Sequence, residues 1–128
     1  MVMCNYRSKR GFTLMELLLV LIILSLIASL AAPVVTHSIV KSKEAALKEN
    51  LFAMRRAMDE YFADKGQYPA SPETLVEERY LRFIPVDPIT NESNWNWTES
   101  TDMDVAGIQD VKSASAERAL DGSIYEEW

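Results

Sequence analysis

The feature that most constrains this chain is an apolar run from Phe12 to Val35, in which Glu16 is the only charged residue. At about 1.5 Å of rise per residue, a helix of this length reaches about 36 Å, which is enough to cross a hydrocarbon core of roughly 30 Å. A carboxylate in such a segment costs about 3 kcal/mol if it lies at the bilayer centre. The run therefore predicts a membrane-spanning helix and marks Glu16 as a candidate functional residue.

Charge is distributed unevenly around this apolar run. Arg7, Lys9 and Arg10 precede it within residues 1–11 without any acidic residue, whereas the whole chain carries a net charge of −6. Positive charge before a span and acidic residues after it predict a cytoplasmic N-terminus and an external C-terminal part. The acidic balance also argues against a nucleic-acid partner, because binding of nucleic acid needs basic patches.

The junction Arg10-Gly11-Phe12-Thr13-Leu14-Met15-Glu16-Leu17 resembles the prepilin-type signal of type IV pilins and type II secretion pseudopilins. The resemblance implies that a prepilin peptidase removes the leader, residues 1–11, by cutting between Gly11 and Phe12, and that Phe12 is then N-methylated. It also implies that Glu16 acts in assembly and that Pro33 bends the helix. Cys4 lies in the leader and would be lost with it, so the processed chain would have no disulfide.

An ordinary secretory signal is the alternative interpretation of the N-terminus. Ser29-Leu30-Ala31 has the small residues that a cut after Ala31 would require. Two observations argue against this alternative: Glu16 lies inside the apolar core, and the helical pattern resumes beyond Pro33.

The chain after the apolar run predicts a second helical half and then a small domain. Residues 36–65 keep a helical stripe, and Gly66 has the character of a helix C-cap. Residues 66–128 predict a small α+β domain with a short helix and an antiparallel sheet. The stripe comprises Leu47, Leu51, Met54, Met58 and Tyr61. The short helix is predicted at Glu73–Arg79, capped by Ser71, and the strands at Asn94–Thr98, Val105–Val111 and Ser123–Trp128. Polar and aromatic residues alternate over Asn94–Thr98, which predicts a half-buried strand with Trp95 and Trp97 on one face.

The order of these elements resembles the major pseudopilin of type II secretion, the general secretion pathway protein G family. The resemblance is carried by Gly66-Gln67-Tyr68-Pro69, by Ile84-Pro85-Val86-Asp87-Pro88 and by the tail that follows Asp110. It implies a type IV pilin-like fold in which residues 12–35 form the membrane and filament-core helix. It further implies a bacterial inner-membrane subunit that self-assembles into a periplasmic pseudopilus and drives export through an outer-membrane secretin. The implied partners are the prepilin peptidase, the assembly platform with its ATPase, and the minor pseudopilins.

Calcium is the one cofactor that this resemblance suggests. Major pseudopilins bind the ion in the loop before the last strand, and Glu117 and Asp121 lie in the matching residues 113–122. Two carboxylates with backbone carbonyls can form a weak oxygen site. A solvated loop without calcium is the alternative.

Catalysis has little support in the sequence. His37 is the only histidine, and neither a nucleophile motif nor a glycine-rich phosphate loop is present. We therefore expect a structural subunit and not an enzyme. Two other functions stay open: a type IV pilin for adhesion, motility or DNA uptake, and a membrane-anchored periplasmic binding domain that does not polymerise.

Overall fold

The computed structural model describes residues 10–128. Most of the predicted leader, including Cys4, therefore lies outside the described residues. The chain forms two compact units: the first ends at His37, and the second is Ser38–Trp128.

Helix α1 is Leu14–Lys65, which confirms the long helix expected from about residue 13 to residue 64. Pro33 lies inside this helix, which continues on both sides of it although proline has no N–H to donate to the Ser29 carbonyl. Gly66 ends the helix with a φ of +73°, and its N–H donates to the Phe62 carbonyl at 2.8 Å. A glycine is suited to this position because the left-handed region penalises residues with a Cβ.

The predicted stripe on α1 forms the centre of the core in the second unit. Leu47, Leu51, Met54 and Met58 are all at most 2% exposed, and Tyr61 is half-buried against them. Their 3-4 spacing places them on one helical face, so that burying this face covers all of them at once. The buried residues that pack against this face come from the residue before the first strand, from the second strand and from residues 113–128: Trp95, Ile108, Val111, Ala119 and Tyr125.

Helix α2 is Pro72–Glu77 and ends two residues earlier than the sequence predicts. Arg79 adopts a φ of +66°, and the N–H groups of Tyr80 and Leu81 both donate to the Leu75 carbonyl. These bonds turn the chain away from the helix axis. Ser71 occupies the N-cap position as expected, but its side chain makes no capping hydrogen bond.

The sheet consists of two antiparallel strands, β1 at Asn96–Glu99 and β2 at Ile108–Lys112. Trp97 lies opposite Val111, and a register irregularity follows Thr98. The predicted alternation holds, since Trp95 and Trp97 face the core. Strand β1 begins two residues later than expected, and β2 begins three residues later.

The predicted third strand at Ser123–Trp128 is wrong. The only β pairing in this segment is an isolated bridge between Arg118 and Ile124. It is followed by a 3₁₀ helix at Tyr125–Glu127, in which the N–H groups of Glu127 and Trp128 donate three residues back. Donors used within the segment are not available to a neighbouring strand, so the α+β fold has a two-stranded sheet.

Candidate functional site

The N-terminal junction places Gly11 and Phe12 in exposed, non-helical backbone directly before α1. At the start of the helix, the Thr13 N–H donates to Glu16 Oε2 at 3.3 Å, and the Glu16 N–H donates to Thr13 Oγ1 at 3.2 Å. This reciprocal pair is a capping box, which satisfies two backbone donors that a helix start leaves open. Glu16 therefore also caps its own helix. The Thr-x-x-Glu spacing that produces this box is present in the sequence and is a known signal for the start of a helix.

Residues 12–35 of the first unit have an exposed apolar surface. Every large hydrophobic side chain in residues 12–35 is at least 47% exposed. By length and composition, α1 is also the one helix among residues 10–128 that could cross a membrane. A continuous apolar surface of this kind is unstable in water, so lipid or other helices must cover it.

Two hydroxyl groups in the first unit, those of Ser25 and Thr36, donate to carbonyls of their own helix. Ser25 Oγ donates to the Leu21 carbonyl at 2.7 Å, and Thr36 Oγ1 donates to the Pro33 carbonyl at 2.9 Å. Such bonds satisfy the hydroxyl donors without water, which suits an apolar environment.

In the second unit, Asp87 joins two segments of the chain. Its side chain is fully buried, and Oδ2 accepts a hydrogen bond from Ser113 Oγ at 2.5 Å. Oδ1 accepts from the Ile89 N–H at 2.7 Å and from the Thr90 N–H at 3.4 Å. The carboxylate thus fixes its own turn and attaches that turn to the chain after β2. The motif Ile84-Pro85-Val86-Asp87-Pro88 is recognisable in the sequence, but nothing near it in the chain predicts the bond from Ser113 to Asp87.

The polar face of α1 holds the C-terminal tail. Glu44 Oε1 accepts hydrogen bonds from the Leu120 N–H at 2.7 Å and from the Tyr125 hydroxyl at 2.9 Å. Burial, together with this bond to Glu44, raises the pKa of Tyr125 to about 12. The phenol therefore stays a protonated donor at neutral pH.

Two cationic side chains on the same helix, Lys48 and Arg55, contact strand β2 or the last residue of the chain. Arg55 Nη2 donates to the carbonyls of Val111 at 2.8 Å and Trp128 at 3.0 Å, while Nε pairs with Asp110 Oδ1 at 2.8 Å. Lys48 Nζ lies 4.6 Å from the centre of the Trp128 ring, within cation–π range. Together these contacts attach both β2 and the chain end to α1.

The predicted calcium ligands, Glu117 and Asp121, are both exposed. Asp121 Oδ1 accepts from the Ser123 hydroxyl at 2.6 Å and from the Ser123 N–H at 2.9 Å. These two bonds, the hydroxyl first, hold the pKa of the Asp121 carboxyl below its usual range. Within residues 10–128 no group of three or more acidic, histidine or cysteine side chains could hold a metal ion. The two carboxylates with backbone carbonyls that the sequence suggests need no third acidic side chain, so the calcium site stays a prediction.

Comparison with known proteins identifies the family. The prokaryotic N-terminal methylation motif matches residues 6–32, which include Gly11, Phe12 and Glu16. The chain is 30% identical over 101 residues to the type II secretion system core protein G of Escherichia coli K12, covering 66% of this chain and 70% of that protein. The Pseudomonas aeruginosa protein of the same name is also 30% identical over 101 residues, covering 66% and 71%. No solved structure gave a match. The chain belongs to the type II secretion system core protein G family.

Proposed function

We propose that this protein is a structural subunit of a type II secretion pseudopilus, a helical filament that drives export through an outer-membrane secretin. The observation that carries the proposal is the exposed apolar helix, which starts at Leu14, two residues after Phe12, and carries the capping residue Glu16 in its first turn. Such a helix needs lipid before assembly and neighbouring helices afterwards. The names of the relatives support a secretion pseudopilus over a type IV pilin.

In this proposal the chain is anchored in the inner membrane with its N-terminus in the cytoplasm. A prepilin peptidase cuts between Gly11 and Phe12 and methylates the new Phe12 amine. The second unit lies in the periplasm, and the assembly platform with its ATPase adds the subunit to the filament beside the minor pseudopilins. The protein acts by assembling and not by catalysing a reaction.

Glu16 supplies the chemistry of assembly. After cleavage, the Phe12 amine carries a positive charge four residues before the Glu16 carboxylate. An unpaired charge in the dry core of a filament is expensive, and breaking a buried ion pair by removing one partner costs about 3–5 kcal/mol. The carboxylate of one subunit neutralises the amine of its neighbour and so sets the axial register. A carboxylate has about four acceptor positions, so the bond to Thr13 leaves capacity for a second donor.

The capping box makes this role testable, because the charge of Glu16 can be removed without removing the cap. Glutamine also completes a capping box. Glu16→Gln and Glu16→Ala should both insert and be cleaved normally, yet fail to form filaments, while Glu16→Asp should be partly impaired because its reach is shorter. Thr13→Val is the matched control, since it disrupts the cap and keeps the carboxylate, and it should retain most filament yield.

The measurements are membrane fractionation, the mass of the mature N-terminus and the yield of sheared filaments at equal expression. The wild-type chain should begin with a methylated Phe12. A chain that begins at Ala32 would contradict the processing step. Wild-type filament yield from Glu16→Gln would refute charge pairing and leave capping as the role of Glu16.

A further inference from the structure

The tail, residues 113–128, contains the loop of residues 113–122 in which the family resemblance places calcium, yet its contacts indicate another means of closure. We propose that Glu44 of α1 closes the tail in place of a metal ion, so that the second unit completes its fold without calcium. The inference concerns folding of the second unit and does not depend on the proposed assembly function.

Glu44 reaches the two parts of the tail that must be held. Its Oε1 atom accepts from the Leu120 N–H, which lies in the predicted calcium loop, and from the hydroxyl of Tyr125, a core residue that is only 2% exposed. Bonds to an ionised acceptor are about twice as strong as neutral ones. A single carboxylate oxygen therefore joins the loop and the core to α1.

Three backbone carbonyls between residues 117 and 122 already accept hydrogen bonds from the protein itself. The carbonyls of Glu117 and Ala119 accept from the N–H groups of Tyr125 at 3.1 Å and Gly122 at 3.0 Å. The Gly122 carbonyl accepts from Arg118 Nη1 at 3.3 Å, which brings a guanidinium into the loop. Calcium takes six to eight oxygen ligands. Carbonyls that already accept N–H bonds are weaker ligands for the ion, and the guanidinium of Arg118 in the loop repels a cation.

The test compares the full chain in detergent micelles in millimolar calcium and in excess chelator. Hydrogen exchange of residues 113–128 and the melting temperature are measured for the wild type, for Glu44→Ala and for Glu49→Ala, an exposed glutamate on the same helix as the control. The wild type should behave identically in both solutions. Glu44→Ala should melt about 5–10 °C lower and exchange about tenfold faster in the tail, in both solutions, because two donors lose their acceptor.

Two results would overturn the proposal. The first is wild-type exchange in the tail that rises in chelator and is restored by calcium, since a metal would then close the loop. The second is a Glu44→Ala variant that matches Glu49→Ala. If Glu44→Ala does not fold, Tyr125→Phe replaces it, because this change removes one of the two bonds while the ring keeps its edge contact with Trp128 at 5.1 Å. Faster hydrogen exchange of the tail in Tyr125→Phe, in both solutions, supports closure of the tail by Glu44. Exchange at the wild-type rate in this variant overturns it.

Discussion

Replacing Asp87 with alanine should remove a large part of the stability of the second unit. The change deletes two short bonds to an ionised acceptor, from Ser113 Oγ at 2.5 Å and the Ile89 N–H at 2.7 Å. At about 1.5–3 kcal/mol for each bond, the loss is about 3–6 kcal/mol. The substitution also removes the free-energy cost of burying a carboxylate, which offsets part of this loss. We therefore expect a net loss of about 3 kcal/mol in the free energy of unfolding. A unit of about 90 residues has a free energy of unfolding of about 5–14 kcal/mol, so the change is severe.

Urea unfolding of the full chain in detergent micelles, followed by tryptophan fluorescence, measures this loss. Trp95 reports on the same turn, because its indole N–H donates to the Pro85 carbonyl at 2.7 Å. Asp59→Ala is the control, since Asp59 is an exposed carboxylate on α1. A difference between Asp87→Ala and Asp59→Ala of less than about 0.5 kcal/mol, the usual size of surface effects, would refute the reasoning.

A double-mutant cycle separates the Asp87–Ser113 bond from the rest of the effect. Ser113→Ala alone leaves a buried carboxylate oxygen without its donor, so it should cost about 1–3 kcal/mol. In the Asp87→Ala background the same change should cost less, with a coupling energy of about 1–2 kcal/mol. Simple additivity of the two changes would show that the bond seen in the structure contributes nothing specific.

Three further outcomes are expected. Gly11→Val should leave an uncut precursor in the membrane, visible as a larger species on a gel; normal-sized protein would contradict the cleavage position. Gly107→Ala should destabilise the second unit by about 2 kcal/mol or more in the same urea assay, because its φ is +120° and a Cβ would strike the backbone of Tyr68. The hydrogen bond from Tyr80 to Asp64 raises the pKa of Tyr80 from 10.0 to about 12. The stabilisation from this hydrogen bond is therefore complete below pH 10 and is lost as the pH rises towards 12. Tyr80→Phe should remove one tyrosine ionisation from the high-pH end of the absorbance titration.

Local pattern was sufficient to predict the long helix and its buried face. The spacing of Leu47, Leu51, Met54 and Met58 repeats with the helical period, and the same residues are buried in the structure. Gly66 was predictable as the end of α1 because a positive φ is a local requirement. The N-terminal junction was recognisable for the same reason, since Gly11, Phe12 and Glu16 lie within a few residues of one another.

The strands were less predictable, because pairing depends on partners elsewhere in the chain. Alternation identified the inward faces of Trp95 and Trp97, but the ends of β1 and β2 follow from their register with each other. A third strand was predicted at Ser123–Trp128, but this segment forms a local 3₁₀ turn instead. Periodicity over six residues cannot separate these two outcomes.

The sequence by itself determined the apolar half of α1, the charged junction before it and the face of α1 that forms the core. These features depend on residues close together in the chain, where backbone geometry alone sets which side chains share a surface. Only the tertiary structure decided the roles of Asp87 and Glu44. Asp87 meets Ser113 across 26 residues, and Glu44 meets Tyr125 across 81. A carboxylate far from its donors in sequence looks like any solvated acid, and only folding removes it from water and gives it partners.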